Sequence, residues 1–186
     1  QALITAGLVT AGGDVTVAAS NTSTISAHQV AVGLVAGVAG GAAADASAVN
    51  TITPTVEALI GATVSSTTGG ISVTAATTAT ITTTMAAAAI GLAFGATRAA
   101  ITTRATVGGS TTARLAAGAD LLARAGAVIV SAVSTLTASS EVTAASGVIG
   151  LAGSSTNAAV TIQDAVLAEV VYACFYAPDD NDCPAP

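Results

Sequence analysis

One short pattern occurs three times in this chain at nearly constant spacing, and it constrains the fold more than any other feature. Val15-Thr-Val17-Ala-Ala19 runs on to Ile25, and Ile71-Ser-Val73-Thr-Ala75 runs on to Ile81 in the same way. Val128-Ile-Val130-Ser-Ala132 is the third copy. An apolar-Gly-Leu step comes after each of them: Val32-Gly33-Leu34, Ile90-Gly91-Leu92 and Ile149-Gly150-Leu151. Self-similarity at a fixed period marks a repeat array. Inside the middle copy the apolar residues Ile71, Val73, Ala75, Ala79 and Ile81 keep one parity. Period-2 alternation rich in Thr, Val and Ile is the signature of strands with one buried face.

These observations predict an all-β fold: a β-solenoid domain over residues 1–171, built from three imperfect repeats of about 58 residues (12–68, 69–125, 126–171), followed by a cap or docking tail at 172–186. A unit of that length divides into three coils of about 19–20 residues, giving roughly nine coils and a rod on the order of 45 Å long. Val, Ile, Leu and Ala are expected inside and Thr and Ser outside, with Gly-Gly, Gly-Asp and Asn-Thr at corners. Pro54 belongs at a turn or an edge, because it cannot donate to a ladder. The rival reading is helical over Met85–Ala89 and 86–100, where Ala is dense. The flanks are β-branched and carry no capping box, which favours strands.

Charged residues are 8% of the chain and aromatic residues 2%, against a usual charged share of about 25%. Hydroxyl side chains must therefore solvate the surface. The net charge is −6, with no Lys, which excludes the basic face that nucleic acid requires. All four Arg (Arg98, Arg104, Arg114, Arg124) lie in the middle repeat; they form either an anion-binding patch or a solvated face. Gln1-Ala2-Leu3-Ile4 has no basic leader, and the chain reads as though it starts in mid-pattern. No apolar run reaches the length of about 18 residues that a membrane-spanning helix needs, so a span is not expected. The nearest approach is Val30–Ala44, whose Gly33, Gly37 and Gly41 have the spacing of packed membrane helices.

Little chemistry is legible. His28 is the only His and has no spaced Cys or Asp partner, and no strained Gly-x-Ser-x-Gly elbow is present. The carboxylates Asp14, Asp45, Glu57, Asp120, Glu141, Asp164 and Glu169 are scattered singly. No enzymatic activity and no cofactor are expected. Asp179, Asp180 and Asp182 form the one acidic cluster, a weak Ca²⁺ candidate beside the reading as a solvated tail. Cys174 and Cys183 could close a small disulfide loop. Thr78, Thr80, Thr82 and Thr84 suggest an ice-binding array, but such a surface needs a regular lattice, and as sequence the other two repeats do not reproduce the run.

The segments 11–19, 67–75 and 125–132, each followed by an Ala/Gly-rich apolar-Gly-Leu step, together with Ala48-Val49-Asn50-Thr51-Ile52 and Glu57-Ala58-Leu59-Ile60-Gly61, resemble the repeats of large bacterial exoproteins: filamentous-haemagglutinin-like and leukotoxin-like filamentous adhesins, and autotransporter passengers of similar build. The likeness covers roughly residues 5–171. It implies a right-handed parallel β-helix, an extracellular or cell-surface location, and a role in a surface fibre or in adhesion. The segment around Cys174 and Cys183 departs from that pattern. The expected function is structural, a subunit or segment of a fibre that self-associates by end-to-end stacking of coils. The alternative is an adhesin whose Thr/Ser face recognises carbohydrate or a cell surface. Candidate assembly edges are Val15 and Val17 at one end, and Tyr172, Phe175 and Tyr176 at the other, since open sheet edges pair with other chains unless they are blocked.

Overall fold

The structure is a computed structural model that describes residues 1–171, apart from the side chain of Ala93, and the backbone of Cys174 and Phe175. Ten strands are present and no helix among the described residues: β1 (Ala2–Ile4), β2 (Leu8–Ala11), β3 (Val15–Ala39), β4 (Ala42–Ile52), β5 (Thr55–Ile60), β6 (Thr63–Ser66), β7 (Ile71–Leu115), β8 (Asp120–Ala123), β9 (Val128–Val170) and β10 (Cys174–Phe175). Every pairing between them is parallel.

The register shows how the repeats are used. Val15 pairs with Ile71, and Ile71 with Val128. Ala42 pairs with Thr97, and Thr97 with Ala152. Ala58 pairs with Ala2 on one side and Ala113 on the other, and Ala113 pairs with Ala168. Apart from β8–β10, paired residues are thus 55 to 57 positions apart throughout. Each sequence repeat is one tier: β3–β6, then β7–β8, then β9–β10, with β1–β2 as a partial tier before them.

The expected short coil, three to a repeat, and the count of roughly nine coils are therefore corrected. No strand pairs with a segment one-third of a repeat away; there are three tiers, each a whole sequence repeat round. The physical reason is the absence of corners. From Val15 to Val32 no Gly or Pro interrupts the alternation, so the backbone stays extended. Asn21 and Asn50, expected at corners, lie inside strands instead. The helical reading of 85–100 is also overturned: these residues belong to β7, with ladders on both sides. The Ala-rich stretch packs as strand because its small side chains stack on one another, and propensity yields to that context.

Inward and outward positions alternate along the whole of β7. Ile71, Val73, Ala75, Thr77, Ala79, Ile81, Thr83 and Met85 are buried, and the same parity is buried again at Thr97, Ala99, Ile101, Thr103, Ala105, Val107, Thr111, Ala113 and Leu115. The two halves of a tier, here called its first arm (71–90) and second arm (97–115), meet through these faces. Thr111 donates to Thr77 at 2.7 Å, Asn50 to Thr83 at 2.8 Å, and Thr103 lies 3.2 Å from Ser140. Two of these three bonds join the second arm of one tier to the first arm of the next, so neighbouring tiers interlock by side chains as well as by backbone. Small inward residues, Ala44, Ala46, Ala87, Ala89 and Ala99, keep the arms close near the bend. The larger Ile60, Val64, Ile71, Val73, Leu115 and Leu121 fill the base, where the short strands β6 and β8 complete the enclosure.

Glycine is required at the bend. Gly40, Gly95 and Gly150 stack in one column, and a Cβ on Gly95 would land on the Gly40 carbonyl oxygen. At the opposite corner Gly7 (φ 95°) and Gly118 (φ 80°) take left-handed backbone in the turns before β2 and β8, which costs glycine nothing. Where one tier ends and the next begins, Gly70 N–H donates to the Asp14 carboxylate (2.7 Å), Gly69 N–H to the Ser66 hydroxyl (3.0 Å), and that hydroxyl to the Gly13 carbonyl (2.7 Å). Turn residues of one tier thus tie the turn of the next.

Two sets of substitutions test this arrangement by urea unfolding. Gly95→Ala should destabilise the chain by about 1–3 kcal/mol through overpacking, whereas Gly153→Ala, whose added Cβ meets nothing within 4 Å, should change stability by less than about 0.5 kcal/mol. Thr111→Val should cost about 1–3 kcal/mol by leaving the buried Thr77 hydroxyl unpaired, and Thr77→Val added to it should restore part of that loss.

Candidate assembly interface

The stack has two open edges. On the first tier, β3 and β4 pair only with β7, and no described strand pairs with their other side; β5 and β6 are covered by β1 and β2. On the third tier, β9 pairs only with β7 along all of 128–170. The two open edges share one phase, because Val15, Ile71 and Val128 stand in a single column.

Val15 and Val17 lie on the first of these edges. Their side chains face inward, and the Val15 N–H is already engaged with the Gly70 carbonyl at 2.9 Å. Alternate residues of a parallel strand donate to the same neighbour. The free donors of this edge are therefore those of Thr16, Ala18 and Ser20. At the other end, Cys174 and Phe175 form β10, paired with Asp120 and Leu121. Tyr172, Tyr176, Cys183 and the acidic cluster Asp179, Asp180 and Asp182 lie outside the described residues, so the disulfide and Ca²⁺ expectations find no geometry here.

The third tier has inward residues that no described strand covers. Val160 is 45% exposed, Ile162 51%, Val166 49% and Val170 48%. Their column partners in the second tier, Ala105, Val107, Thr111 and Leu115, are each 0% exposed. The difference is what one more tier would remove. One steric condition applies to a second copy seated there. Ala2, Ala58, Ala113 and Ala168 occupy one column. A copy whose β3 pairs with β9 brings its own β1 to where the end of β9 already lies, so one of those two short segments must be displaced.

Outside, the two arms differ. The first arm carries hydroxyl residues, with His28, Thr84 and Glu141 in the column at its far end. The second arm carries the dispersed charges. Arg98 and Arg104 are six positions apart on β7, about 20 Å along an extended strand. Arg114 lies 3.7 Å from Glu57 and pairs in register with Glu169, while Arg124 lies beyond β8. The four Arg therefore do not form a single anion-binding patch.

Around the bend the outward face is apolar: Val30, Val32, Leu34, Val38, Ile90, Leu92, Phe94, Ile149 and Leu151 are each 47% exposed or more. The reading of Val30–Ala44 as a packed membrane helix is corrected by this geometry. These residues are strand and bend, and no helix among the described residues is long and apolar enough to cross a membrane. No group of three or more His, Cys, Asp or Glu that could hold a metal ion occurs among the described residues. No protein-family model, curated protein or solved structure matches the chain.

Proposed function

We propose that the chain is a right-handed β-solenoid with an unusually long coil, acting as a structural segment of an extracellular fibre that grows by adding tiers at its open edges. The observation that carries this reading is the incomplete third tier: four inward apolar side chains, about half exposed, on a 43-residue strand whose outer edge is unpaired. Burying each of the four would contribute about 1 kcal/mol, and a continuing ladder would satisfy the free backbone groups beside them. Either a second copy or further tiers of the same build can supply this cover. The hand and the extracellular setting rest on the resemblance of the repeats to filamentous exoproteins, and the low charge and hydroxyl-rich surface accord with that setting.

The adhesin reading draws on the same outward hydroxyl face. It gains less support for carbohydrate, because the outward positions of the first arm hold no Phe, Tyr or Trp, whose rings supply the usual stacking platform for a sugar.

The fibre reading is tested by a proline placed where it blocks only the free edge. Ala18 is exposed and its N–H points away from β7. Ala18→Pro should leave the chain folded by circular dichroism and abolish filaments in electron micrographs. Filaments of unchanged number and width from the Ala18→Pro chain would refute growth through this edge.

A further inference from the structure

The first-arm hydroxyls that look irregular as sequence become regular in register. Thr22, Thr78 and Thr135 stand in one column, Thr24, Thr80 and Thr137 in the next, and Ser26, Thr82 and Ser139 in the third. The pairing carries no register shift from Val15 to Ala36 or from Ile71 to Ile90, so the array is continuous. Its repeat is about 4.8 Å across tiers and about 6.7 Å between alternate residues along a strand. All nine side chains face outward; eight are exposed and Thr80, at the centre, is half-buried by its neighbours. The other tiers thus reproduce three of the four positions of the run Thr78, Thr80, Thr82 and Thr84 as hydroxyls, while the fourth column reads His28–Thr84–Glu141.

Strand propensity would favour Thr at any outward position, yet the second arm faces the same demand and answers it differently. Its outward columns include Asp45–Ala100–Ser155, Val49–Arg104–Ala159 and Glu57–Thr112–Leu167, and only Thr51–Thr106–Thr161 keeps a hydroxyl in every tier. The three tiers are internal copies of one another; three adjacent first-arm columns keep a hydroxyl in every tier, while the columns on either side, Ser20–Ala76–Val133 and His28–Thr84–Glu141, do not. No charged residue occurs from Thr16 to Ser26, from Ser72 to Thr84, or from Ile129 to Ser139.

We infer that this face binds ice. A rigid array of hydroxyl groups, joined by methyl groups at its seven threonines and repeating in two directions, complements a surface that is itself periodic in two directions. The oxygen rows on a prism face of hexagonal ice have two repeat distances close to those of this array, and a single sugar or a disordered polymer has no such period. The hydroxyls can take lattice positions while the methyls lie between rows and lose contact with liquid water. The missing charges matter because an ionised group would hold its own hydration shell against the crystal. The inference is independent of filament growth: a single chain carries all nine positions.

The test is thermal hysteresis and crystal shape, measured on the intact chain. The chain should open a gap between the melting and growth temperatures and facet the crystal. Thr80→Tyr, at the centre of the array, should abolish both effects. Thr24→Tyr, on the first tier, should do the same and decides the matter if the central variant does not fold. Thr102→Tyr, outward on the second arm, should leave both effects at the level of the unaltered chain. Absence of hysteresis in the unaltered chain would overturn the inference, as would equal loss from Thr102→Tyr and the two array variants when all fold.

Discussion

Each tier of this protein is held by hydrogen bonds to a segment a full sequence repeat away, and that constraint shapes everything else. The parallel ladder gives the backbone its hydrogen bonds, and in-register stacking places like on like: Val17 on Val73 on Val130, Ala19 on Ala75 on Ala132. No local element can form first, because a strand here gains its partners only after a long loop has closed. The closure costs entropy before any contact repays it. The side-chain bonds between arms, Asn50 to Thr83 and Thr103 with Ser140, act at the same step, since both link successive tiers. The first pairing of two tiers is therefore the difficult one, and each later tier adds to an existing template.

The division between inside and outside follows from this ladder. The interior takes small and β-branched residues because the arms face each other closely, and some of its polar groups bond across the gap, while the buried Thr97 and Ser134 hydroxyls have no partner among the described residues. The exterior is free of that demand, so differences among its faces carry the functional information. A hydroxyl array occupies three adjacent columns of the first arm, scattered charges mark the second, and aliphatic side chains with Phe94 surround the bend. The open edges are a different matter: they are the ladder itself, left unfinished.

Much of the fold was legible in the sequence, and what was missed has a physical cause. The repeat and the parity of Ile71, Val73, Ala75 and Ile81 correctly indicated parallel-compatible strands with one buried face. They did not show how far the chain travels before it meets itself, because alternation looks the same in a short coil and a long one. Only the lack of Gly and Pro between Val15 and Val32 hinted at the longer path. The apolar-Gly-Leu steps, which look equivalent as sequence, do not stack: Leu34 lies opposite Ile90, and Ile149 opposite Phe94. The steps lie 58 and 59 residues apart while the ladder before the bend runs at 56 and 57, so they are already two positions out of step before the register shifts at 36–39 and 90–94. The same dependence on register hid the Thr columns, since Thr22-Ser-Thr24 and Thr135-Leu-Thr137 resemble Thr78-Ala-Thr80 only once they are set side by side. Val15 and Val17 lie on an open edge, but its free donors belong to the residues between and beyond them.

The tier length is the claim on which the rest stands, and a pair of engineered cysteines tests it directly. With Cys174 and Cys183 replaced by Ser, Thr78→Cys and Thr135→Cys place two outward thiols on adjacent strands of one column, within the Cα separation of about 4.4–6.8 Å that a disulfide requires. This pair is expected to oxidise readily to an intramolecular bridge. Thr78→Cys with Arg98→Cys, the pair that a coil one-third of a repeat long would stack, is expected not to. A bridge from 78 to 98, with none from 78 to 135, would contradict a tier as long as the repeat and return the chain to short coils.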